Sequence, residues 1–62
     1  MKLRWHRDRD DYYAIGSVEA SYTIERDDNG WRAYRNGRVI ETHRLLSFCK
    51  RNAQFEEDHW NE

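Results

Sequence analysis

Residues 22–42, YTIERDDNGWRAYRNGRVIET, hold two turn signals inside one alternating pattern, and their reading decides the fold. Asn36-Gly37 is the preferred pair for a two-residue type I′ turn, and Asp27-Asp28-Asn29-Gly30 suits a four-residue hairpin loop. Together they predict a meander of three strands, at about 20–26, 31–35 and 38–42. With Asn36-Gly37 as the loop, Arg35 faces Arg38, Tyr34 faces Val39, Ala33 faces Ile40, Arg32 faces Glu41 and Trp31 faces Thr42. The first hairpin sets Ile24 beside Ala33 and Glu25 beside Arg32. This register places Tyr22, Ile24, Trp31, Ala33 and Ile40 on one face, as a half-buried sheet requires. The other face receives a Glu25–Arg32–Glu41 row and a Thr23–Tyr34–Val39 row, whose cross-strand pairs favour the same alignment.

Working outward, residues 1–19 form an N-terminal arm. Within it, Tyr12–Ile15, ended by Gly16-Ser17, is a fourth strand or a lead-in, and Leu3 and Trp5 alternate as an edge strand would. From 43 to 60 the period becomes helical, with Thr42 as candidate N-cap. At 100° per residue Leu45, Leu46, Cys49, Ala53 and Trp60 share an arc of about 100°, the stripe of a helix lying on a sheet. The predicted fold class is α+β: a three-stranded antiparallel meander, four-stranded if Tyr12–Ile15 joins, packed against one C-terminal α-helix. Residues 1–62 make one small domain, without linker, repeat or low-complexity tract.

Composition bounds what such a domain does. The chain has 62 residues, 37 % hydrophobic, and Val, Ile and Leu together number only 8 against 9 aromatic residues, so its core is small and aromatic-rich. One cysteine allows no internal disulfide and no cysteine-based zinc site, which points to a reduced, cytoplasmic protein. No apolar run approaches the roughly 18 residues of a membrane span. The net charge of −1 conceals opposed blocks: +1 over residues 1–11, −3 over 12–31, +5 over 32–51 and −4 over 52–62. A nucleic-acid binder usually carries a basic excess over the whole domain, so direct nucleic-acid binding is disfavoured.

Two features stand out as candidate binding elements. Phe48 and Phe55, seven apart, lie on one helical line away from the core stripe, bordered by Arg44, Arg51, Asn52 and His59, a composition common at binding hot spots. The plainer reading is that the arm, with Trp5 or Tyr12, packs over both rings. The helix also has its charges reversed, with Arg44, Lys50 and Arg51 early and Glu56, Glu57 and Asp58 in the last turn, against the macrodipole. Either Arg4, Arg7 or Arg9 folds back to pair with these acids, or the end is an acidic face for a basic partner, extended by Asp27 and Asp28. Catalysis finds no motif. The histidines His6, His43 and His59 lack metal-ligand spacing, no serine sits in a nucleophile motif, and Cys49 falls within the core stripe. No enzyme activity, metal or cofactor is expected.

The segments Tyr22-Thr-Ile-Glu-Arg, Gly30-Trp-Arg-Ala-Tyr, Asn36-Gly-Arg-Val-Ile and Leu45 through Ala53-Gln54 resemble, in that order, products of short orphan reading frames of proteobacterial phages and prophages. The resemblance covers about residues 20–54; Phe48 and Cys49 depart from it where small residues are commoner, as does the Glu56-Glu57-Asp58 end. It implies a phage accessory protein of the bacterial cytosol, of which one class is the anti-CRISPR inhibitors. On that footing the chain is expected to bind a host protein or nucleoprotein complex stoichiometrically, as a monomer, with Glu56, Glu57 and Asp58 mimicking DNA charge and Phe48 or Tyr34 as anchor. The rival expectations are a small nucleic-acid-binding module and a phage structural subunit that self-associates through Phe48 and Phe55.

Overall fold

The computed structural model describes residues 1–60. Five strands, β1 (His6–Asp8), β2 (Asp11–Ile15), β3 (Ser21–Asp27), β4 (Gly30–Arg35) and β5 (Arg38–His43), precede one helix, α1 (Leu46–His59). Each strand pairs antiparallel with its sequence neighbour, in the order β1-β2-β3-β4-β5. The α+β meander under a C-terminal helix is as expected, but the sheet has five strands rather than three or four. Tyr12–Ile15 does pair with β3. The further edge strand is His6–Asp8, while Leu3 and Trp5 precede it and pack into the core instead. Its turn, Arg9-Asp10, carries no glycine, although Arg9 takes φ 59°.

The central register follows from the two turns. Ile24 pairs with Ala33 and Glu25 with Arg32, and the first hairpin loop tightens to Asp28-Asn29, because Asp27 already pairs with Gly30. Asp27 Oδ1 accepts a hydrogen bond from the Asn29 amide at 2.8 Å and holds that turn. Gly30 is required there: its φ is 140°, and a Cβ would lie 2.6 Å from Arg44 Cα, where the chain leaves β5. At the second turn Asn36 and Gly37 both have positive φ, 51° and 83°, as a type I′ turn demands.

Beyond that turn the expected register fails after two pairs. Arg38 opposes Arg35 and Val39 opposes Tyr34, but Ala33 then pairs with Glu41, Arg32 with Thr42 and Trp31 with His43. Ile40 is an extra residue, a β-bulge. Its consequence is a change of face for Glu41, which leaves the expected Glu25–Arg32–Glu41 row and turns toward the helix, accepting a 2.6 Å hydrogen bond from Asn52 Nδ2. Ile40 stays on the helix side and packs against both parts of the core.

That core lies between sheet and helix. Leu3, Ala14, Ala20, Tyr22 and Ala53 form one cluster; Ile24, Ala33 and Cys49 form the other; Trp5 and Ile40 bridge them. Small alanines on β2, β4 and α1 let the helix approach closely, and the aromatic rings fill the margins. Lys50 Nζ lies 4.5 Å from the Tyr12 ring centroid and the Arg26 guanidinium 5.5 Å from Trp31, so long cationic side chains cover aromatic faces at the rim. Gln54 fastens the arm: its Oε1 accepts from the Leu3 amide and its Nε2 donates to the Met1 carbonyl, both at 2.7 Å.

The helix starts at Leu46, later than expected. Thr42 is within β5, and Leu45 occupies the N-cap position without a side-chain hydrogen bond. Of the expected stripe, Cys49 and Ala53 are buried and Leu46 is half-buried, whereas Leu45 and Trp60 are about half exposed. Glu57, four residues beyond Ala53, completes the buried line instead. No described helix is long and apolar enough to cross a membrane.

Candidate functional site

The expected acidic helix end is divided by the structure. Glu57 points inward with 6 % of its surface exposed. Its Oε2 accepts from the Ser17 amide (2.7 Å) and hydroxyl (2.6 Å), and its Oε1 from the Tyr22 hydroxyl (2.9 Å). Tyr22 in turn accepts from Arg35 Nε at 3.1 Å, so one buried chain joins β4, β3, α1 and the turn Ser17–Glu19. Burial by itself would raise the Glu57 carboxyl, but the hydrogen bonds from Ser17 and then Tyr22 outweigh it and hold the group below its ordinary value. Burial first, with Glu57 adding to it against Arg35, pushes the Tyr22 phenol up. Glu57 is therefore a structural anion, and it leaves the proposed mimicry face. Glu56 is half-buried beside Arg35 and Arg38, and Asp58 is exposed and accepts from Gln54 Nε2 at 2.8 Å. The arm's Arg4, Arg7 and Arg9 make no ion pair with these acids; among the described residues the ion pair formed is Arg32–Asp27, at 3.5 Å.

Phe48 and Phe55 are exposed, at 39 % and 59 %, and the arm does not cover them. Each ring instead has a histidine stacked on it. The His43 ring lies 4.1 Å from Phe48 at 7°, and the His59 ring 4.0 Å from Phe55 at 23°, with the Arg51 guanidinium 5.7 Å from Phe48. Trp5 and Tyr12, expected over these rings, are packed on the core. Cys49 is fully buried, and burial raises its thiol, favouring the protonated, unreactive form.

The larger unclaimed surface is the sheet face away from the helix, which no described element covers. The four registers align His6 with Tyr13, Tyr13 with Thr23, Thr23 with Tyr34 and Tyr34 with Val39. One row thus crosses all five strands, roughly 19 Å at the usual strand spacing. His6 stacks on Tyr13 at 5.3 Å, Tyr13 and Val39 are 45 % and 49 % exposed, and Ile15, two residues from Tyr13 on the same face, is 56 % exposed. Strand alternation puts Asp8, Asp11, Glu25, Asp27 and the cation Arg32 on this face as well, and Lys2 and Arg4 line a cleft with His6, Tyr13 and Ile15 at its β1–β2 side. Asp8 and Asp11 oppose each other directly, an arrangement that costs stability in a sheet.

Of the expected site residues, Tyr34 and Asp27 lie on this face, while Asp28 sits in the adjoining turn. Phe48, Phe55, Glu56 and Asp58 belong to the helix, on the other layer. The aromatic row as a whole escaped the sequence reading because two of its five members, His6 and Tyr13, lie on strands that were not paired there. The signal was the alternation His6, Asp8 and Asp11, Tyr13, Ile15 around a short charged turn. Among the described residues no group of three or more His, Cys, Asp or Glu is placed to hold a metal ion. Surface clefts reach about 290 Å³, near the roughly 300 Å³ lower end of small-molecule pockets. No family model, curated protein or solved structure matches this chain.

Proposed function

We propose that the chain is a non-enzymatic, protein-binding inhibitor of the phage-encoded, anti-CRISPR-like kind, and that it docks through the open face of its sheet. The supporting observation is the row His6–Tyr13–Thr23–Tyr34–Val39, which runs across all five strands with no described element over it. Tyrosines on a rigid sheet offer large contact areas at low entropic cost, and a bordering set of carboxylates selects a basic partner surface. The four carboxylates outnumber the cations Lys2, Arg4 and Arg32 there, a balance that favours a protein over a phosphate backbone as the direct partner. Charge mimicry thereby moves from the helix end to this face, with Asp8, Asp11, Glu25 and Asp27 supplying the negative groups.

The test is plasmid transformation in bacterial hosts that each carry one defined CRISPR interference system and a targeted plasmid. Expression of the chain is expected to restore transformation in at least one host. Tyr13→Ala combined with Tyr34→Ala should abolish the protection, each tyrosine contributing on the order of 2 kcal/mol if it acts as a hot spot. Phe55→Ala should leave protection intact. Failure to protect in every host, or protection that survives the tyrosine variant and is lost with Phe55→Ala, overturns the reading.

A further inference from the structure

On the opposite side of the sheet, the Asn36-Gly37 turn and the end of α1 enclose a cleft of about 290 Å³ lined by Arg35, Asn36, Arg38, Ile40, Glu56 and Trp60. Arg35 and Arg38 are directly opposed in the β4–β5 ladder, a like-charge pair that disfavours the hairpin. Neither makes an ion pair with another described residue. Arg35 is nevertheless 6 % exposed and held in place. Its Nε donates to the Tyr22 hydroxyl, and its guanidinium lies 3.5 Å from the centre of the Trp60 ring.

That arrangement occupies Nε and one face of the guanidinium and leaves its Nη edge. Among the described residues no buried side-chain nitrogen or oxygen lacks a partner, so the Nη groups meet solvent, and Arg35 lines the cleft. Asn36 adds a donor: its Oδ1 accepts from the Ser21 amide at 2.9 Å, which turns its Nδ2 to other use. Ile40 and Trp60 supply apolar walls. The formal charge of the lining, two arginines against Glu56, is +1. A single negative charge balances it, whereas a dianion would meet Glu56 unfavourably.

We propose that this cleft binds a carboxylate bearing an apolar side group, the carboxylate bridging the Arg35 and Arg38 guanidinium groups and the side group lying against Ile40 and Trp60. Planar arginine donors match a carboxylate in two-point contact, and a guanidinium already oriented by Tyr22 and Trp60 has little freedom left to lose on binding. This site is independent of the docking face, from which the sheet separates it.

The experiment titrates the isotopically labelled chain with N-acetyl-L-leucine and follows the Arg35 Nε–H and Trp60 indole N–H resonances. Saturable shifts in the millimolar range are expected, with none from the uncharged N-acetyl-L-leucinamide and weaker binding of inorganic phosphate. Arg38→Gln, exposed and clear of the buried chain, should weaken binding about tenfold. Glu56→Gln should tighten it severalfold by removing the opposing charge. Absence of saturable shifts, an equal response to the amide, phosphate binding as tight as the carboxylate, or indifference to Arg38→Gln overturns the proposal.

Discussion

Glu57 has a buried carboxylate, and three donors from two separate segments converge on it. A buried charge without such partners costs several kcal/mol, so the turn that presents Ser17 is as important as the acid itself. That turn is strained: Val18, β-branched, takes φ 51° and ψ 33°, and Glu19 follows at φ 58°. Gly16 gives the carboxylate room, since a Cβ there would lie 2.8 Å from both Glu57 Cδ and the Tyr22 ring. Because the folded state holds the Glu57 carboxyl below its ordinary value, it binds fewer protons than the unfolded state does. Its contribution is therefore complete above the unfolded glutamate value of about 4.3 and is lost as pH falls through the lower folded value. Denaturant titrations over acidic pH should show this loss in the natural chain and a flatter profile in Glu57→Gln, which should also cost about 1–3 kcal/mol at neutral pH. A profile unchanged by the substitution would contradict the account. In the sequence Glu57 was indistinguishable from its acidic neighbours by type. Its place on the Cys49, Ala53 line at steps of four was the available signal, and the charge concealed it.

At the scale of elements, α1 begins without help. Leu45 stands where Ser, Thr, Asp or Asn would satisfy a free amide, and its own side chain is 52 % exposed. Leu45→Asp should add about 1 kcal/mol through capping and the macrodipole, a rise of roughly 4–8 °C in Tm for a domain of this size. Thermal unfolding followed by circular dichroism measures it, and an unchanged or lower Tm would show that Leu45 packs usefully. The hairpin turns, the core-facing residues of β3 and β4 and the helical period were legible because each rests on local chemistry: positive φ at Asn36-Gly37, alternation about Ile24 and Ala33, and the Cys49–Ala53 spacing. The bulge at Ile40 was not, since Val39-Ile40-Glu41 alternates as well in one register as in the next, and the partner that Glu41 meets in the bulged one, Asn52, lies across the layer. The β1–β2 hairpin was missed for a related reason. Asp8-Arg9-Asp10-Asp11 has none of the glycine or asparagine that announces a tight turn, and His6–Asp8 buries no residue.

For the molecule as a whole, two layers leave one sheet face and two sheet edges without cover. The candidate site follows from that geometry: Tyr34 and Asp27 were readable as candidates, but the row and its carboxylate border exist only once five strands are aligned. Strands β3 and β4 are paired on both sides and carry Tyr22, Ile24 and Ala33 against α1, while β1 pairs on one side only and has no buried residue. Amide hydrogen exchange should therefore be slowest in β3 and β4, approaching the global unfolding free energy, and fastest in β1 and at the exposed Val18 and Glu19, while the Ser17 amide is protected by Glu57. Equal protection in β1 and β3 would mean that the edge is held by something other than its ladder.

The bulge also bears on how the gene can change. Ile40 is the one residue of β5 that has no partner in the ladder, so an in-frame deletion of its codon would leave Val39 opposite Tyr34 and Glu41 opposite Ala33. Loss of the Thr42 codon, by contrast, would move His43 into the place opposite Arg32 and reverse its face. Length variation along β5 is thus confined to a single position, where it removes packing and spares the alignment of everything else.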